Sequence, residues 1–309
     1  IYFFWGLPVQ WSKSSLTTPI FKLRGENDEP VGDEIKCDTD IDVIGYPIKE
    51  YEKIDLKLDL PTEFNFLTIA QVSPRKNISA TVRSFINEFK DDDRVGLVMK
   101  INKVNDSLMD RHTVTQEIKN IIKTENLGDI KCKIYILHGP MSEQEIHSLY
   151  KQENIHAYIT TTHGEGYGLP IFEAAYSGLP VMAPAWSGHI DFLYMPEENK
   201  VSKKVKKVPM FTKIRYKLDH VQEEALVENM IIPESKWSFV DIEACMKMMR
   251  HMTKTHKAQK SKALKLKEYL HEEYSSSKIN EKIISSITKN FKEEEFSLIK
   301  SSSFLDANR

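Results

Sequence analysis

The sequence predicts an α/β fold built around a doubly wound parallel sheet. Two observations carry this prediction. From about Phe64 onward, short apolar runs bounded by turn residues alternate with longer segments of helical period, and this alternation is typical of a parallel sheet with crossover helices. The hydrophobic share of 40% and the charged share of 28% are those of a globular protein, which argues against disordered and fibrous classes.

Five strands separated by helices are predicted in this region. The first helix should present one apolar face, because Val82, Phe85, Ile86 and Phe89 recur three or four residues apart. A later helix, over residues 142–152, begins with Ser-x-x-Glu, the pattern of a capping box. The predicted strands are residues 65–71, 95–101, 133–139, 156–162 and 179–184.

Composition excludes several functional classes. Cys37, Cys132 and Cys245 are odd in number and widely spaced, so neither a disulfide framework nor a Cys-x-x-Cys metal or redox site is expected. The formal net charge of -2 offers no global attraction for nucleic acid or membranes. The apolar start of the chain is too interrupted for a spanning helix and lacks the flanks of a signal peptide. We therefore expect a cytoplasmic protein in a reducing environment.

Ligands of doubly wound sheets bind outside the carboxyl ends of the strands. After the fourth predicted strand, the run from Thr161 to Ala175 reads as a turn broken by glycines that opens into a helix. Gly166 and Gly168 would allow close approach of a ligand to the backbone, and N–H groups at a helix start favour phosphate. The same pattern also fits a plain turn between a strand and a helix.

Two carboxylates in this run favour a ligand. Glu165 stands in the turn, and Glu173 follows eight positions later, within the helix. Carboxylates beside a phosphate site would oppose the phosphate charge, so they make sense if the same ligand also presents hydroxyl groups. Nucleotide sugars carry both kinds of group.

The embedded string Glu165-Gly-Tyr-Gly-Leu-Pro-x-x-Glu173-Ala, followed by Gly178-Leu-Pro-Val, resembles glycosyltransferase family 4 over residues 65–191. The resemblance implies half of a GT-B fold, with a Rossmann-like donor domain and retention of configuration at the sugar carbon. It also implies that Glu173 accepts hydrogen bonds from ribose hydroxyls. Glu165 would hold the transferred sugar together with the backbone of Gly166, Tyr167, Gly168 and Leu169.

The end of the first strand departs from the family pattern. Where the family has a Gly-Arg-Leu turn and a later Lys, this chain has Gln71 in place of the Arg and keeps Lys76. The resemblance implies that Lys76 stabilises the leaving diphosphate, whereas the missing contact is either supplied by Arg75 or lost. Lys100, after the second strand, either reaches the same phosphates or stays in a solvated loop.

Other polar residues at strand ends leave two interpretations open. His138 and His163 could be buried structural histidines or could lie beside the base or sugar. Trp186, His189 and Asp191 could shape an acceptor or sugar pocket, since aromatic faces suit sugar rings and His or Asp can bind hydroxyls. A tight turn packed by Trp186 is the alternative.

No required metal is predicted. Asp91-Asp92-Asp93 lies between a helix and a strand, where a solvated turn is expected, and Asp38-x-Asp40-x-Asp42 lies in an acidic connector without further ligands. The stretch from Lys200 to Lys217 holds eight basic residues and no acidic one. It could be a solvated loop, a patch that follows DNA phosphates, or a contact for an anionic surface.

The predicted domains are residues 1–64, a remnant of an N-terminal domain and its acidic connector, residues 65–256, the nucleotide-sugar-binding domain, and residues 257–309, C-terminal helices. Residues 1–64 offer one strand, residues 1–5. The N-terminal half that usually carries the acceptor site and a catalytic histidine is therefore expected to be incomplete, and no catalytic histidine is assigned.

These observations together predict a retaining glycosyltransferase that moves a hexosyl group from a UDP- or GDP-sugar to an acceptor hydroxyl. Glu165 and Lys76 are the expected catalytic residues, and Gln71, Arg75 and Glu173 complete the expected donor contacts. Two alternatives remain open: a transferase acting on a modified DNA base, suggested by the basic stretch, and a non-catalytic subunit that binds nucleotide sugars.

Overall fold

The computed structural model describes residues 20–24, 30–36, 42, 44–47, 50–198, 203–226, 231 and 234–288. Tyr51–Tyr269 belong to one compact unit, and the described residues before and after that range belong to a second. Within the described residues no helix combines the length and hydropathy needed to cross a membrane.

Strands and helices alternate through the middle of the chain. The strands are β1 (Ile20–Arg24), β2 (Pro30–Lys36), β3 (Phe64–Gln71), β4 (Val95–Asn102), β5 (Lys133–Leu137), β6 (Ala157–Ile159), β7 (Val181–Pro184), β8 (Tyr194–Glu198), β9 (Val205–Pro209), β10 (Thr212–Ile214), β11 (Tyr216–His220) and β12 (Lys236–Val240). The helices are α1 (Ile78–Phe89), α2 (Leu108–Thr124), α3 (Glu143–Leu149), α4 (Leu169–Tyr176), α5 (Ile190–Leu193), α6 (Ile242–Glu273) and α7 (Ser276–Thr288).

The first unit is built on a six-stranded sheet with the order β10-β7-β6-β3-β4-β5. Every pair of neighbouring strands in this sheet is parallel. Starting at β3, the chain adds β4 and β5 on one side and then β6, β7 and β10 on the other, which is the strand order of the dinucleotide-binding folds. The predicted doubly wound, Rossmann-like sheet is confirmed, and the direction of winding reverses between β3 and β6.

The core of this sheet forms where the sequence pattern placed it. Val82, Phe85, Ile86 and Phe89 of α1 have no exposed surface, and the ring of Phe66 on β3 lies 5.9 Å from that of Phe89. Burial of side chains of this size stabilises a fold by about 1.5–3 kcal/mol each. Packing of α1 against β3 therefore fixes the position of the loop that joins them.

The predicted capping box is present at the start of α3. Ser142 Oγ accepts a hydrogen bond from the Glu145 N–H at 3.2 Å, and the Glu145 carboxylate accepts one from the Ser142 N–H at 2.7 Å. Both donors would otherwise be left without a partner within the helix. The cap fixes the first turn of α3, whose later residues reach the candidate site.

The interpretation of the basic stretch as a solvated loop is wrong for most of its length. β9 pairs with β8 in a hairpin that sets Lys206 opposite Glu197, and β10 is the sixth strand of the parallel sheet. β11 pairs with β12. Lys200 itself lies outside the described residues.

Within the described residues of the second unit, a hairpin lies where none was predicted. β1 and β2 pair antiparallel, with Ile20 opposite Lys36, and β2 falls in the segment expected to be an acidic connector. The strand predicted for residues 1–5 lies outside the described residues. In the same unit α7 buries Ile279, and Lys278 contacts Glu273 at 2.7 Å.

Candidate functional site

The loop after β3 forms the first wall of the candidate site. Pro74–Lys76 make one turn of 3-10 helix, and Asn77 then adopts a left-handed conformation with φ 48° before α1 begins. Proline suits the first position of a helical turn because its missing N–H would have no partner there. Asparagine is one of the few residues that tolerate the left-handed region. This local chemistry turns Arg75 and Lys76 toward the loop after β6.

Arg75 and Lys76 meet one carboxylate, that of Glu165. Arg75 Nη1 lies 2.8 Å from Glu165 Oε2, and Lys76 Nζ lies 2.7 Å from Glu165 Oε1. Arg75 Nη1 also donates to the carbonyl of Gly164 at 2.7 Å. The side chain of Glu165 is 7% exposed, whereas those of Arg75 and Lys76 are 25% and 16% exposed. We call these three residues the cation–carboxylate cluster.

Burial and charge act against each other in this cluster. Burial lowers the pKa of Lys76, and the adjacent Glu165 carboxylate limits that shift. For Glu165, burial alone would raise the pKa, but Lys76 and Arg75 together outweigh it and hold the pKa below its ordinary value. Glu165 is therefore ionised at neutral pH, and two cations face one carboxylate.

The glycine turn after β6 has the predicted form. Gly168 has φ 87° and caps α4, and a Cβ atom there would lie 3.1 Å from the side chain of Ile171. A Cβ atom at Gly166 would meet nothing within 4 Å. Pro170 has no N–H, and the N–H groups of Ile171 and Phe172 donate to the Gly168 carbonyl. This helix start can therefore offer an anion the N–H groups of Leu169 and of the glycine turn before it.

A second loop, after β7, packs against the glycine turn and hydrogen-bonds to it. Ser187 Oγ accepts a hydrogen bond from the Glu165 N–H at 2.8 Å, and the Gly188 N–H donates to the Glu165 carbonyl at 3.0 Å. A Cβ atom at Gly188 would lie 1.9 Å from the carbonyl oxygen of Gly166. Only glycine fits this contact. The sequence interpretation named three neighbours of these residues but missed Ser187 and Gly188.

Glu173 lies on α4 and faces α3. The hydroxyl of Tyr150 donates to Glu173 Oε2 at 2.9 Å, and His147 Nε2 lies 3.9 Å from Oε1. Burial raises the pKa of Glu173. Tyr167, between the two glutamates in sequence, packs its ring against those of Phe172 and Phe192, so what it offers a ligand comes from its backbone.

Gln71 and Lys100 contact other loops. The side-chain amide of Gln71 donates to the Lys103 carbonyl at 2.8 Å, and Lys100 Nζ donates to the Gly139 carbonyl at 2.6 Å. Neither contact reaches the cation–carboxylate cluster. Arg75, rather than Gln71, stands beside Lys76 as the second cation.

The two strand-end histidines have structural partners. His138 Nε2 pairs with Asp110 Oδ2 at 2.9 Å, with both side chains buried. His163 Nδ1 lies 2.7 Å from the Ser238 carbonyl, and its ring stacks on that of Trp237 at 5.0 Å. The interpretation of both as buried, hydrogen-bonded histidines is confirmed.

The three residues predicted to shape a pocket in the loop after β7 differ in exposure and contacts. His189 is fully buried, with Nε2 2.7 Å from the Pro184 carbonyl. The ring of Trp186 lies 6.3 Å from that of Tyr216. Asp191 is exposed at the start of α5. His189 therefore packs beneath the turn instead of lining a pocket.

The described residues contain no group of three or more His, Cys, Asp or Glu side chains arranged to hold a metal ion. Asp92 pairs with Arg94 and Arg250. Asp38 and Asp40 lie outside the described residues. The prediction that no metal is required stays a prediction.

Known proteins share parts of this sequence and fold. No family model matches the chain. A sucrose synthase of Melioribacter roseus is 24% identical over 156 residues, which are 50% of this chain and 18% of that protein. A sucrose-phosphate synthase structure from Thermosynechococcus elongatus superposes with a TM-score of 0.50 at 14% identity, covering 74% of this chain and 45% of that one. The C-terminal domain of a group 1 glycosyl transferase from Francisella tularensis gives a TM-score of 0.47 at 15% identity, covering 70% and 89%.

These likenesses bear on the fold. The six-stranded parallel sheet is the Rossmann-like domain of the GT-B type, as predicted. The chain spans 18% of the length of the curated relative it matches. Membership of glycosyltransferase family 4 in particular is not confirmed.

Proposed function

We propose that this chain binds a nucleotide-sugar donor where the winding of its sheet reverses, between β3 and β6. We further propose that this donor site belongs to a retaining glycosyltransferase. One observation carries the proposal: Arg75, Lys76 and Glu165 converge at the carboxyl ends of β3 and β6, beside the start of α4. Clefts at this point of a doubly wound sheet are where nucleotides bind. Glu173 is the fifth residue of the same helix.

The cation–carboxylate cluster suits a diphosphate leaving group. Two cations against one carboxylate leave one positive charge in excess, and both cations keep part of their surface exposed. Negative charge develops on the diphosphate as the bond to the sugar breaks. Preorganised cations and helix-start N–H groups stabilise that charge without reorganising during the reaction. Lys76 is the expected catalytic cation, and Arg75 assists it.

The two glutamates suit the hydroxyl groups of the same ligand. Glu165 would accept from the transferred sugar, together with the backbone of residues 166–169, and Glu173 would accept from the ribose. Gly166 is exposed and its missing side chain opens onto free space, which supports a ligand lying over the turn. The assignment to a hexosyl group, a UDP- or GDP-sugar, and retention of configuration rests on the resemblance of the Glu165 to Glu173 string.

A donor screen tests this proposal. Thermal-shift measurements with UDP- and GDP-sugars should identify one donor that raises the melting temperature, and calorimetric titration gives its dissociation constant. Glu173→Ala removes a charged hydrogen bond worth roughly 1.5–3 kcal/mol, so donor affinity should fall about 10- to 150-fold. Glu153→Ala, at a glutamate whose side chain is 97% exposed, is the matched control and should bind normally.

The outcomes separate the alternatives. If no nucleotide sugar binds, or if Glu173→Ala binds as the parent chain does, the proposed donor site is wrong. A mass-spectrometric assay for sugar transfer to saccharide acceptors and to DNA then distinguishes a transferase from a non-catalytic subunit. Donor binding without transfer, in an assay to which an N-terminal half with an acceptor site has been added, would favour the non-catalytic subunit.

A further inference from the structure

One face of α3 surrounds the carboxylate of Glu173. Glu143, His147 and Tyr150 are four and three residues apart, so they share that face. Tyr150 is 2% exposed, and its hydroxyl donates to Glu173 Oε2 at 2.9 Å. His147 Nε2, at 3.9 Å from Oε1, is beyond hydrogen-bond distance and does not occupy that oxygen.

We propose that Tyr150 is a positioning residue that holds Glu173 for the ribose and thereby makes the site select ribonucleotides over 2′-deoxyribonucleotides. This inference rests on the proposed donor function. A glutamate side chain has three rotatable bonds, and the hydrogen bond from a buried tyrosine fixes one of its oxygens. The other oxygen is then presented in one direction, toward a pair of neighbouring hydroxyl groups.

The electrostatics of the pair agree with this role. Burial raises the pKa of Tyr150 well above its ordinary value, so the hydroxyl keeps its proton and acts as a permanent donor. Burial also raises the pKa of Glu173, Glu143 raises it further, and the hydrogen bond from Tyr150 lowers it. His147, whose pKa is lowered by burial, and Tyr158 on β6 are two further titratable groups that interact with this carboxylate. Tyr150 thus both orients Glu173 and favours its ionised form.

The chain offers a matched control for the loss of one hydroxyl. Tyr158 is also 2% exposed, and its ring centroid lies 6.1 Å from that of Tyr150. Its hydroxyl donates to the Ile69 carbonyl at 3.2 Å and not to a carboxylate. Tyr158→Phe therefore reports the cost of deleting a buried hydroxyl, whereas Tyr150→Phe adds the loss of the contact to Glu173.

The experiment titrates the parent chain and both variants with UDP and GDP and with their 2′-deoxy forms. The parent chain should favour the better ribonucleotide about 10-fold, the value of one charged hydrogen bond. Tyr150→Phe should reduce that preference to about 3-fold or less as Glu173 loses its fixed orientation. Tyr158→Phe should keep the full preference even if its melting temperature falls.

The pH profile gives a readout that a merely structural role would not move. As the pH falls toward the pKa of Glu173, the carboxylate gains a proton and ribonucleotide affinity falls. Tyr150→Phe removes an interaction that lowers this pKa, so its affinity should fall at a higher pH than in the parent chain. The profile of Tyr158→Phe should overlay that of the parent.

The outcomes distinguish this inference from the proposed function. If the parent chain binds neither UDP nor GDP, the proposed function fails and this inference fails with it. Suppose instead that the parent chain binds, and that Tyr150→Phe keeps both the ribose preference and the pH at which affinity falls. The donor site then stands, and the role proposed for Tyr150 is wrong.

Discussion

Two regions at the carboxyl ends of the parallel strands carry similar residues, but the contacts of these residues differ. At the ends of β4 and β5, Asp110 accepts from His138 and from the N–H groups of Lys103 and Val104, and Lys100 is tied to a backbone carbonyl. At the ends of β3 and β6, charged side chains contact one another across two loops. The first region fastens loops together, whereas the second presents charge.

Electrostatics sharpen this contrast. The side-chain hydrogen bond from His138, with the two backbone N–H groups, lowers the pKa of Asp110 to about 2. Its charge is met by donors that are fixed within the fold. The charge of Glu165 is met by two cations that are partly exposed and that exceed it in number. β4 and β5 lie on one side of β3 and β6 on the other, so the second region stands where the direction of winding reverses, which is the point of a doubly wound sheet at which ligands bind.

The largest expected effect tests this contrast with two lysines at the two regions. Lys76→Met should weaken binding of the preferred nucleoside diphosphate about 10- to 100-fold, because a charge-assisted contact to the diphosphate is lost. Arg75 still pairs with Glu165, so the fold should persist. Lys100→Met removes the same charge from the other region and keeps an unbranched side chain. This variant should bind the nucleoside diphosphate within about 2-fold of the parent.

Calorimetric titration of both variants measures the difference. Equal losses for Lys76→Met and Lys100→Met would mean that both regions contact the phosphates, and the division between a fastening region and a charge-presenting region would be wrong. Normal binding by Lys76→Met would remove this lysine from the site.

A smaller effect is expected from two glycines that touch each other. Gly188→Ala would force its Cβ into the Gly166 carbonyl, and overpacking of this kind costs about 1–3 kcal/mol. The melting temperature and the donor affinity should both fall as the turn shifts. Gly166→Ala adds a methyl group in open space, so its melting temperature should match that of the parent while donor affinity falls several-fold.

Circular-dichroism melting and titration of the same samples separate these cases. If Gly166→Ala binds the donor normally, the ligand does not lie over the turn. If Gly188→Ala melts like the parent, the loop after β7 does not support the glycine turn.

The sequence contained most of the fold and only part of the site. Five of the six strands of the parallel sheet were predictable, because each is an apolar run bounded by turn residues. β10 was not, because three residues within a lysine-rich stretch leave no local pattern. The glycine turn and the start of α4 were visible locally. The contact of Lys76 with Glu165 joins residues 89 positions apart, and no local pattern reveals which loops the strand order brings together.

The same limit explains the residues that were missed. Ser187, Gly188 and Tyr150 are ordinary in their local sequence. They matter only through partners on other loops and helices, namely the glycine turn and Glu173. A residue that positions another is recognised from the folded arrangement.

The smallest effect is expected from the lysines of the basic stretch. Lys203 lies 3.6 Å from Glu198, and Lys206 stands opposite Glu197 in the β8–β9 hairpin, so acidic neighbours offset part of its charge. Exposed ion pairs of this kind contribute about 0–1 kcal/mol. Neutralising the exposed lysines to Gln should therefore leave donor affinity within about 2-fold of the parent; these are Lys203, Lys204, Lys206 and Lys207. Duplex DNA titrated at low and moderate salt is the companion measurement. A parent chain that binds DNA, with a salt dependence that flattens by about 0.9 per lysine removed, would restore the DNA acceptor as the better account of this stretch.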